Sequence, residues 1–148
     1  MMGKKNIIIF SAALAVIILD QLTKSIIKKN IQPGQSLPLI KNILHFTYVT
    51  NTGSAFGLFK NFSLFLTLFS AIVVIVIFYY LKKIRKDETG IQFAVSLLLG
   101  GTIGNLIDRL TYGAVIDFID FRIWPVFNVA DGAVTVSVIL LIFMLWEK

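Results

Sequence analysis

The segment FSLFLTLFSAIVVIVIFYYL, from Phe62 to Leu81, carries no charged side chain. A helix rises about 1.5 Å per residue, so about 20 apolar residues cross the roughly 30 Å of hydrocarbon in a bilayer. Backbone polar groups must be satisfied within the segment when no water is present, and such a run therefore predicts a membrane-spanning helix. The whole chain agrees, because 57% of its 148 residues are hydrophobic and 15% are charged, against about 25% charged in soluble domains.

Three further apolar runs predict three further spans. We predict an all-α membrane protein: a four-transmembrane-helix bundle with a small extracytoplasmic β-cradle between helices 1 and 2, forming one integral membrane domain over residues 1–148. The first run is interpreted as a retained helix, because Asp20 and Lys24 interrupt it and no small-residue cleavage site follows. The four spans are predicted at about residues 6–28, 62–82, 91–110 and 125–146. They are joined by an extracytoplasmic β-rich segment at about 30–60, a cytoplasmic loop at 83–90 and an extracytoplasmic loop at 111–124.

Basic residues give the predicted orientation. The 14 Lys and Arg divide evenly between the two sides of the bundle, but KKIRK (Lys82–Lys86) is a dense cluster in a short loop. The positive-inside rule then favours cytoplasmic termini. The net charge of +6 lies beside apolar runs rather than along one soluble face, which favours anionic lipid headgroups over nucleic acid as the counter-charge.

The connections contain local signals. Leu44, Phe46 and Tyr48 alternate with other residues in a β-branched and aromatic run, which predicts a strand. We expect the connection at 111–124 to be irregular and to fold back over the outer edge of the bundle. Gly100 and Gly104 form a G-x-x-x-G face that lets another helix backbone approach. Trp124 and Trp146 are interpreted as interfacial anchors that bracket helix 4.

Ionisable side chains inside a membrane cost about 2.5 to 3.5 kcal/mol each on insertion scales, so each indicates a functional site. Here they gather near the predicted outer boundary, on helical faces with i, i+3 and i+4 spacing. Asn51 and Asp117 lie in loops that reach the same boundary, and we expect Asp131 about seven residues into helix 4. The polar residues near the span ends are Asp20, Lys24, Asn105, Asp108, Arg109, Asn128 and Asp131.

Several chemistries fit these residues. Two carboxylates held together in a low dielectric share one proton, which supplies a base and an acid for hydrolysis. Asp131 could instead form an ion pair with Arg109 or a lysine, and intramembrane aspartates also serve proton transport. His45 and Ser54 lack the spacing of a serine-protease elbow. With no cysteine and one histidine, a thiolate site or a histidine-built zinc site is not expected.

Five sequence blocks occur in a recognisable order: DQLTK (Asp20–Lys24), NTGSAFG (Asn51–Gly57), GNLIDR (Gly104–Arg109), VIDFID (Val115–Asp120) and FNVAD (Phe127–Asp131). Over essentially its whole length the chain resembles the signal peptidase II family of intramembrane aspartic proteases. Ser54 departs from the alanine common in that family. The resemblance implies that Asp117 and Asp131 are the catalytic dyad and that Asp120 is dispensable or supporting. It implies substrate-binding or supporting roles for Asn51, Asn105, Arg109, Asn128, Asp108, Asp20 and Lys24.

The resemblance also implies a reaction and a location. The expected activity is that of an aspartic endopeptidase that removes the signal peptide from diacylglyceryl-modified prolipoproteins, cutting before the lipid-modified cysteine. We expect a multi-pass protein of the bacterial cytoplasmic membrane with its active site at the extracytoplasmic face. The expected partners are the diacylglyceryl-modified prolipoprotein substrate and membrane lipids. We expect no nucleic acid, no obligatory protein partner, no metal and no cofactor, and we expect the protein to be a monomer. The alternative is a small proton-coupled transporter that uses the intramembrane aspartates.

Overall fold

A computed structural model of the chain describes residues 4–53, 62–85 and 87–146. Ser54, Phe56, Phe59 and Lys60 lie outside these ranges, and so does Lys86 of the basic cluster. The elements in chain order are α1 (Lys4–Asn30), β1 (Ser36–Ile40), β2 (Leu44–Asn51), α2 (Phe62–Leu81), α3 (Thr89–Tyr112), β3 (Val115–Asp120) and α4 (Val129–Trp146).

The four helices are all long and apolar enough to cross a membrane, which confirms the predicted four-helix membrane bundle. Both connections with strands, β1–β2 after α1 and β3 after α3, emerge at one end of the bundle. We call this the sheet end. The opposite end, where α2 passes into α3, is called the hairpin end. Large apolar side chains on the helices remain exposed, such as Leu68 and Phe143, as expected where lipid replaces water.

Helix α3 is the central helix of the bundle. In the most apolar 18-residue stretch of α3, 50% of the residues are buried, whereas in the corresponding stretches of the other three helices 11–17% are buried. Glycines make this possible: a Cβ on Gly100 would lie 2.7 Å from the Ala13 carbonyl of α1, and one on Gly101 would lie 2.5 Å from the Ala130 carbonyl of α4. Both neighbouring backbones therefore approach closer than any side chain allows. The predicted G-x-x-x-G face accounts for the approach of α1 at Gly100, whereas α4 approaches at Gly101, which that prediction did not include.

The three strands form one antiparallel sheet in the order β1-β2-β3. The alternation predicted β2 correctly, because Leu44–Asn51 is a strand. The prediction of an irregular connection after α3 was wrong: Val115–Asp120 forms β3 and pairs with β2, with Val49 opposite Asp117. This pairing satisfies the backbone polar groups of a segment that is buried at nearly every residue, as a buried segment requires.

The sheet is fixed to the end of α1 by an apolar cluster. Ile27 and Ile31 pack against Tyr48 of β2 and against Ile116 and Phe118 of β3. Strand β3 follows α3 directly, because Gly113 ends the helix in the left-handed region at φ 72°, which glycine adopts without steric cost. The sheet is therefore tied to two helices and places β3 over the sheet end of the bundle.

Helix α4 begins at Val129, later than the predicted start at residue 125. Phe127, two residues before it, forms an isolated bridge to β3: its backbone N–H donates to Ile119 O at 3.1 Å, and the N–H of Ile119 donates to Phe127 O at 2.7 Å. Two consequences correct the sequence expectations. Trp124 lies outside α4 and does not bracket it, and Asp131 lies in the first turn of α4 rather than two turns deep.

Candidate active site

A buried lysine organises the polar cluster at the sheet end. Lys24 of α1 is only 2% exposed, and its ammonium lies 2.8 Å from Asp20 Oδ2 and 2.8 Å from Asp108 Oδ2. Its third contact is a hydrogen bond of 3.0 Å to Asn105 Oδ1. An ammonium has three N–H groups, so these three acceptors use all of them. The charge of Lys24 is therefore committed to Asp20 and Asp108.

The two carboxylates around Lys24 have further structural donors. Asp20 Oδ1 accepts the backbone N–H of Ala130 at 3.0 Å, which satisfies one free donor of the first turn of α4. Asp108 Oδ2 accepts the backbone N–H of Ile116 in β3 at 3.1 Å. Gln21 donates to Asp108 Oδ1 at 2.9 Å and also contacts Asp20. These acids thus join α1, α3, α4 and β3 to one another.

Asp117 lies on β3 and is 1% exposed. Amide groups rather than cations hold it: Asn51 Nδ2 donates to Oδ2 at 2.8 Å and Asn128 Nδ2 donates to Oδ1 at 2.7 Å. Burial raises the pKa of Asp117 from 3.8 to about 6, the Asn51 hydrogen bond opposes this shift, and the nearby charge of Asp131 adds to it. A carboxyl group with this pKa exchanges its proton near neutral pH.

Asp131 lies in the first turn of α4 and is partly exposed. Its backbone N–H donates to Asn128 Oδ1 at 2.8 Å, and its Oδ2 accepts the backbone N–H of Asn128 at 3.3 Å. This reciprocal arrangement is a capping box in which Asn128 is the N-cap. Its Oδ1 accepts the side-chain amide of Asn105 at 2.7 Å. The orientation of the carboxylate is thus fixed by two asparagines.

An ion pair does not account for the presence of Asp131 in this polar cluster. Within residues 4–53, 62–85 and 87–146, every ion pair within 4.0 Å joins other residues, and the buried lysine pairs with Asp20 and Asp108. The sequence alternative of a salt bridge from Asp131 to Arg109 or a lysine therefore finds no support in this part of the chain. The charge of Asp131 instead acts on a second carboxylate, Asp117.

Asn128 connects the two carboxylates and is completely buried. Its Nδ2 donates to Asp117 and its Oδ1 accepts from the backbone of Asp131. The same amide also donates to Asn105 Oδ1 at 3.1 Å. One side chain therefore touches both acids, and the Lys24 network is joined to them through Asn105.

Arg109 approaches the acids from the side of α2. Its Nη1 donates to Ser70 Oγ of α2 at 3.3 Å, and its charge acts on Asp131 and Asp117. On the α4 side, a cavity of about 310 Å³ opens beside Asp131. That volume lies in the range of small ligand sites. The residues that line the cavity are Trp124, Pro125, Val126, Phe127, Asp131, Gly132, Thr135 and Val136.

Asp120 is held apart from these acids. Its Oδ2 accepts from Thr47 Oγ1 at 2.7 Å and from Arg122 at 3.0 Å, and its Oδ1 accepts the backbone N–H of Arg122 at 2.8 Å. The hydrogen bond from Thr47 is the main reason that the pKa of Asp120 is lowered. His45 contacts Ser36 Oγ at 3.0 Å, while Ser54, its partner in the serine alternative, lies outside the described residues.

Sequence reasoning missed two polar partners. Gln21 contacts both acids of the Lys24 network, and Ser70 holds Arg109. Gln21 carries a sequence signal, because it is a polar residue next to Asp20 in an apolar run. Ser70 is a single hydroxyl within α2, and the sequence carries no signal that separates it from the other small residues of that helix.

Four spanning helices, a sheet over one end and a polar cluster beneath that sheet define a multi-pass membrane protein with two acids, Asp117 and Asp131, joined by one asparagine. Comparisons with known proteins identify the family. The family model described as Signal peptidase (SPase) II matches residues 12–147. The chain belongs to the signal peptidase II family, and it is a protease. None of the comparisons supports the transporter alternative.

Curated relatives cover most of the chain. The "Lipoprotein signal peptidase" of Moorella thermoacetica is 45% identical over 90% of this chain and 89% of its own length. That of Halothermothrix orenii is 38% identical over 95% and 96%. A bacterial membrane enzyme solved at 2.3 Å resolution superposes with a TM-score of 0.82 and 36% identity, covering 99% of this chain and 90% of its own.

Proposed function

We propose that Asp117 and Asp131 are the catalytic dyad of this protease. The observation that carries the proposal is the shared contact with Asn128, which touches both acids while Lys24 is fully occupied elsewhere. The two acids are thus close and oriented, and in the described part of the chain neither forms an ion pair within 4.0 Å. Like charges at such a site raise the free energy of the doubly ionised state, so the pair holds one proton.

The proposed reaction is acid–base hydrolysis of a peptide bond. The ionised carboxylate takes a proton from water, and the water oxygen forms a bond to the scissile carbonyl carbon. The protonated carboxyl donates to the carbonyl oxygen during this step. When the C–N bond breaks, the proton taken from water passes to the leaving amine. The amides of Asn51, Asn105 and Asn128 keep both carboxyl groups in position without neutralising them.

We assign the shared proton in the free enzyme mainly to Asp117. It is almost fully buried, and its pKa is raised to about 6. Asp131 is the more exposed acid and borders the cavity of about 310 Å³, so it is the better placed of the two to receive a water molecule. Titration of such a pair belongs to both acids together.

The family's reaction is the removal of signal peptides from prolipoproteins, and we extend it to this chain. The specific proposal is cleavage of diacylglyceryl-modified prolipoproteins before the lipid-modified cysteine, in which the acyl chains stay in the bilayer next to the helices. Asn51, which donates to Asp117, and Arg109, whose charge acts on both acids, are the proposed donors to the substrate backbone. Asp20, Lys24 and Asp108 are proposed as supporting residues that fix α1, α3 and α4.

The proposed location is the bacterial cytoplasmic membrane, with the termini in the cytoplasm and the sheet end outside. The basic cluster from Lys82 at the hairpin end supports this orientation. We further propose that the chain acts as one integral membrane domain and as a monomer. Labelling a cysteine introduced at Thr89 tests the orientation, because reaction from the exterior of intact cells would reverse it.

Cleavage of a diacylglyceryl-modified prolipoprotein in bilayers tests the proposed activity. The wild-type chain should release the signal peptide, and the unmodified precursor should not be cut. Asp117→Asn and Asp131→Asn should each abolish release while the fold is kept. Cleavage by either folded variant at the wild-type rate would remove the dyad assignment.

A further inference from the structure

A second cavity borders Lys24 and Asp108. It has a volume of about 370 Å³ and is formed by the sheet-end turns of α1 and α3. None of its lining residues borders the cavity beside Asp131. The residues that line it are Gln21, Lys24, Ser25, Lys28, Lys29, Asp108, Tyr112 and Ile116.

The charges around this cavity favour an anion. Of its three lysines, Lys24 is paired with Asp20 and with Asp108, the one carboxylate in the lining. Asp108 also accepts from Gln21 and from the Ile116 backbone. Lys28 and Lys29 are both exposed. Among the residues that the structure describes, neither has a carboxylate within 4.0 Å. Two ammonium groups thus remain available at the mouth.

The position of the cavity matches the headgroup level of a bilayer. Lys28 and Lys29 lie in the last turn of α1, and Tyr112 is the last residue of α3. Lys28 sits 3.6 Å from the centre of the Tyr112 ring, a cation–π contact. Lysine and tyrosine are typical of the membrane–water interface.

The surface next to the lysines is suited to acyl chains. Leu22 and Ile26 are 57% and 52% exposed on α1, and with Lys29 they follow i, i+4, i+7 spacing along one face. The exposed apolar stripe could contact the acyl chains of a phospholipid, and the lysines at the end of this stripe could contact its phosphate. Soluble phosphate would use the lysines but gain nothing from the stripe.

We propose that this cavity binds the phosphate headgroup of an anionic membrane lipid, with its acyl chains along Leu22 and Ile26. Lys28 and Lys29 supply the charge, and the hydroxyl groups of Ser25 and Tyr112 supply neutral donors. The site is independent of the proteolytic proposal, because it shares no residue with the dyad and needs only a bilayer at the sheet end.

Lipid binding to the purified full-length chain tests the proposal. Phosphatidylglycerol or phosphatidylcholine is titrated into neutral detergent micelles, and bound lipid is counted by native mass spectrometry. We expect tighter binding of phosphatidylglycerol, weakened about fivefold for each lysine removed in the double variant K28Q/K29Q. K82Q/K83Q is the matched control, since it removes two adjacent lysines at the hairpin end and should leave this binding unchanged. K28R/K29R should restore it.

Other outcomes overturn the proposal. Equal binding of the two lipids, unchanged binding by K28Q/K29Q, or an equal loss in K82Q/K83Q would mean that no specific headgroup site exists here. Displacement of phosphatidylglycerol by millimolar inorganic phosphate would show that the site takes soluble phosphate instead. The single variant K29Q keeps the test valid if the double variant does not fold, because Lys29 is exposed and the expected loss is then about fivefold.

Discussion

Two pairs of aspartates lie within one polar cluster and are treated differently by their surroundings. Asp20 and Asp108 share the ammonium of Lys24 and accept backbone N–H groups from α4 and β3. Asp117 and Asp131 receive side-chain amides from asparagines and form no ion pair within the described residues. The proposed supporting acids are therefore those neutralised by a lysine, whereas the proposed catalytic acids are held by hydrogen bonds that leave their charge unpaired.

The largest effect should come from the pair without cations. Asp117→Asn and Asp131→Asn should each reduce cleavage at least about a hundredfold, since general acid–base groups contribute 10²- to 10⁴-fold. Initial rates on a diacylglyceryl-modified prolipoprotein measure this. Asp120→Asn is the control and should stay near the wild-type rate, because Asp120 contacts Thr47 and Arg122 instead. A rate for Asp120→Asn as low as that of the dyad variants would contradict the assignment.

Lys24→Met should break the neutralised pair. It leaves Asp20 and Asp108 buried without their cation, and breaking a buried ion pair costs about 3 kcal/mol or more. Thermal unfolding in detergent should show a large fall in midpoint. The matched control is Arg85→Met, whose pair with Asp87 is 73% and 66% exposed and contributes about 1 kcal/mol or less. Equal midpoints for the two variants would mean that Lys24 does not hold the helices together.

Gly104→Ala should destabilise the protein less than Lys24→Met, because it crowds Asp20 without removing the cation that neutralises Asp20 and Asp108. The added Cβ would lie 2.7 Å from Asp20 Oδ2 and 3.3 Å from Ala130 Cβ, and overpacking of this kind costs about 1 to 3 kcal/mol. Unfolding measurements should place it between wild type and Lys24→Met. Gly132→Ala is the control, because nothing lies within 4 Å of its added Cβ. A destabilisation of Gly132→Ala as large as that of Gly104→Ala would show that backbone effects dominate.

The smallest expected effect is a shift in the pH dependence of kcat/KM, which tests the role of Asp117 in the proposed dyad. Because burial raises the pKa of Asp117 to about 6, the shared proton is lost above that pH, and kcat/KM of the free enzyme should fall as pH rises further. The Asn51 hydrogen bond lowers the pKa of Asp117, so Asn51→Ala should move this fall to higher pH. Asp120→Asn should leave its position unchanged. A shift to lower pH in Asn51→Ala would contradict the proposed role of Asp117.

Much of this arrangement could be predicted from the sequence. Apolar runs of about 20 residues have few alternatives in a membrane protein, and so the four spans were clear. The cost of intramembrane charge pointed to the acids that the structure gathers at the sheet end. Their pairing was not predictable, because both Lys24 and Arg109 were within reach of several carboxylates, and only the fold assigns Lys24 to Asp20 and Asp108.

The errors have physical causes too. Strand β3 contains Val115, Ile116 and Ile119, but periodicity alone does not identify such a short apolar run as a buried strand. Hydrophobicity continues from Val126 into α4 and hides the true start of the helix. The N-cap signal of Asn128 with an acid three residues later was present in the sequence, and it marks that start better than hydrophobicity does.

The bond from Ala130 to Asp20 connects the last helix to the first. During synthesis, α1 is made before α4, and Lys24 within one turn of Asp20 already provides this buried acid with an ion pair inside its own helix. The backbone N–H of Ala130, which donates to Asp20 Oδ1, is made only after a further 110 residues have been added to the chain. Because the proposed dyad also includes Asp131 of α4, we expect proteolytic activity to require this helix.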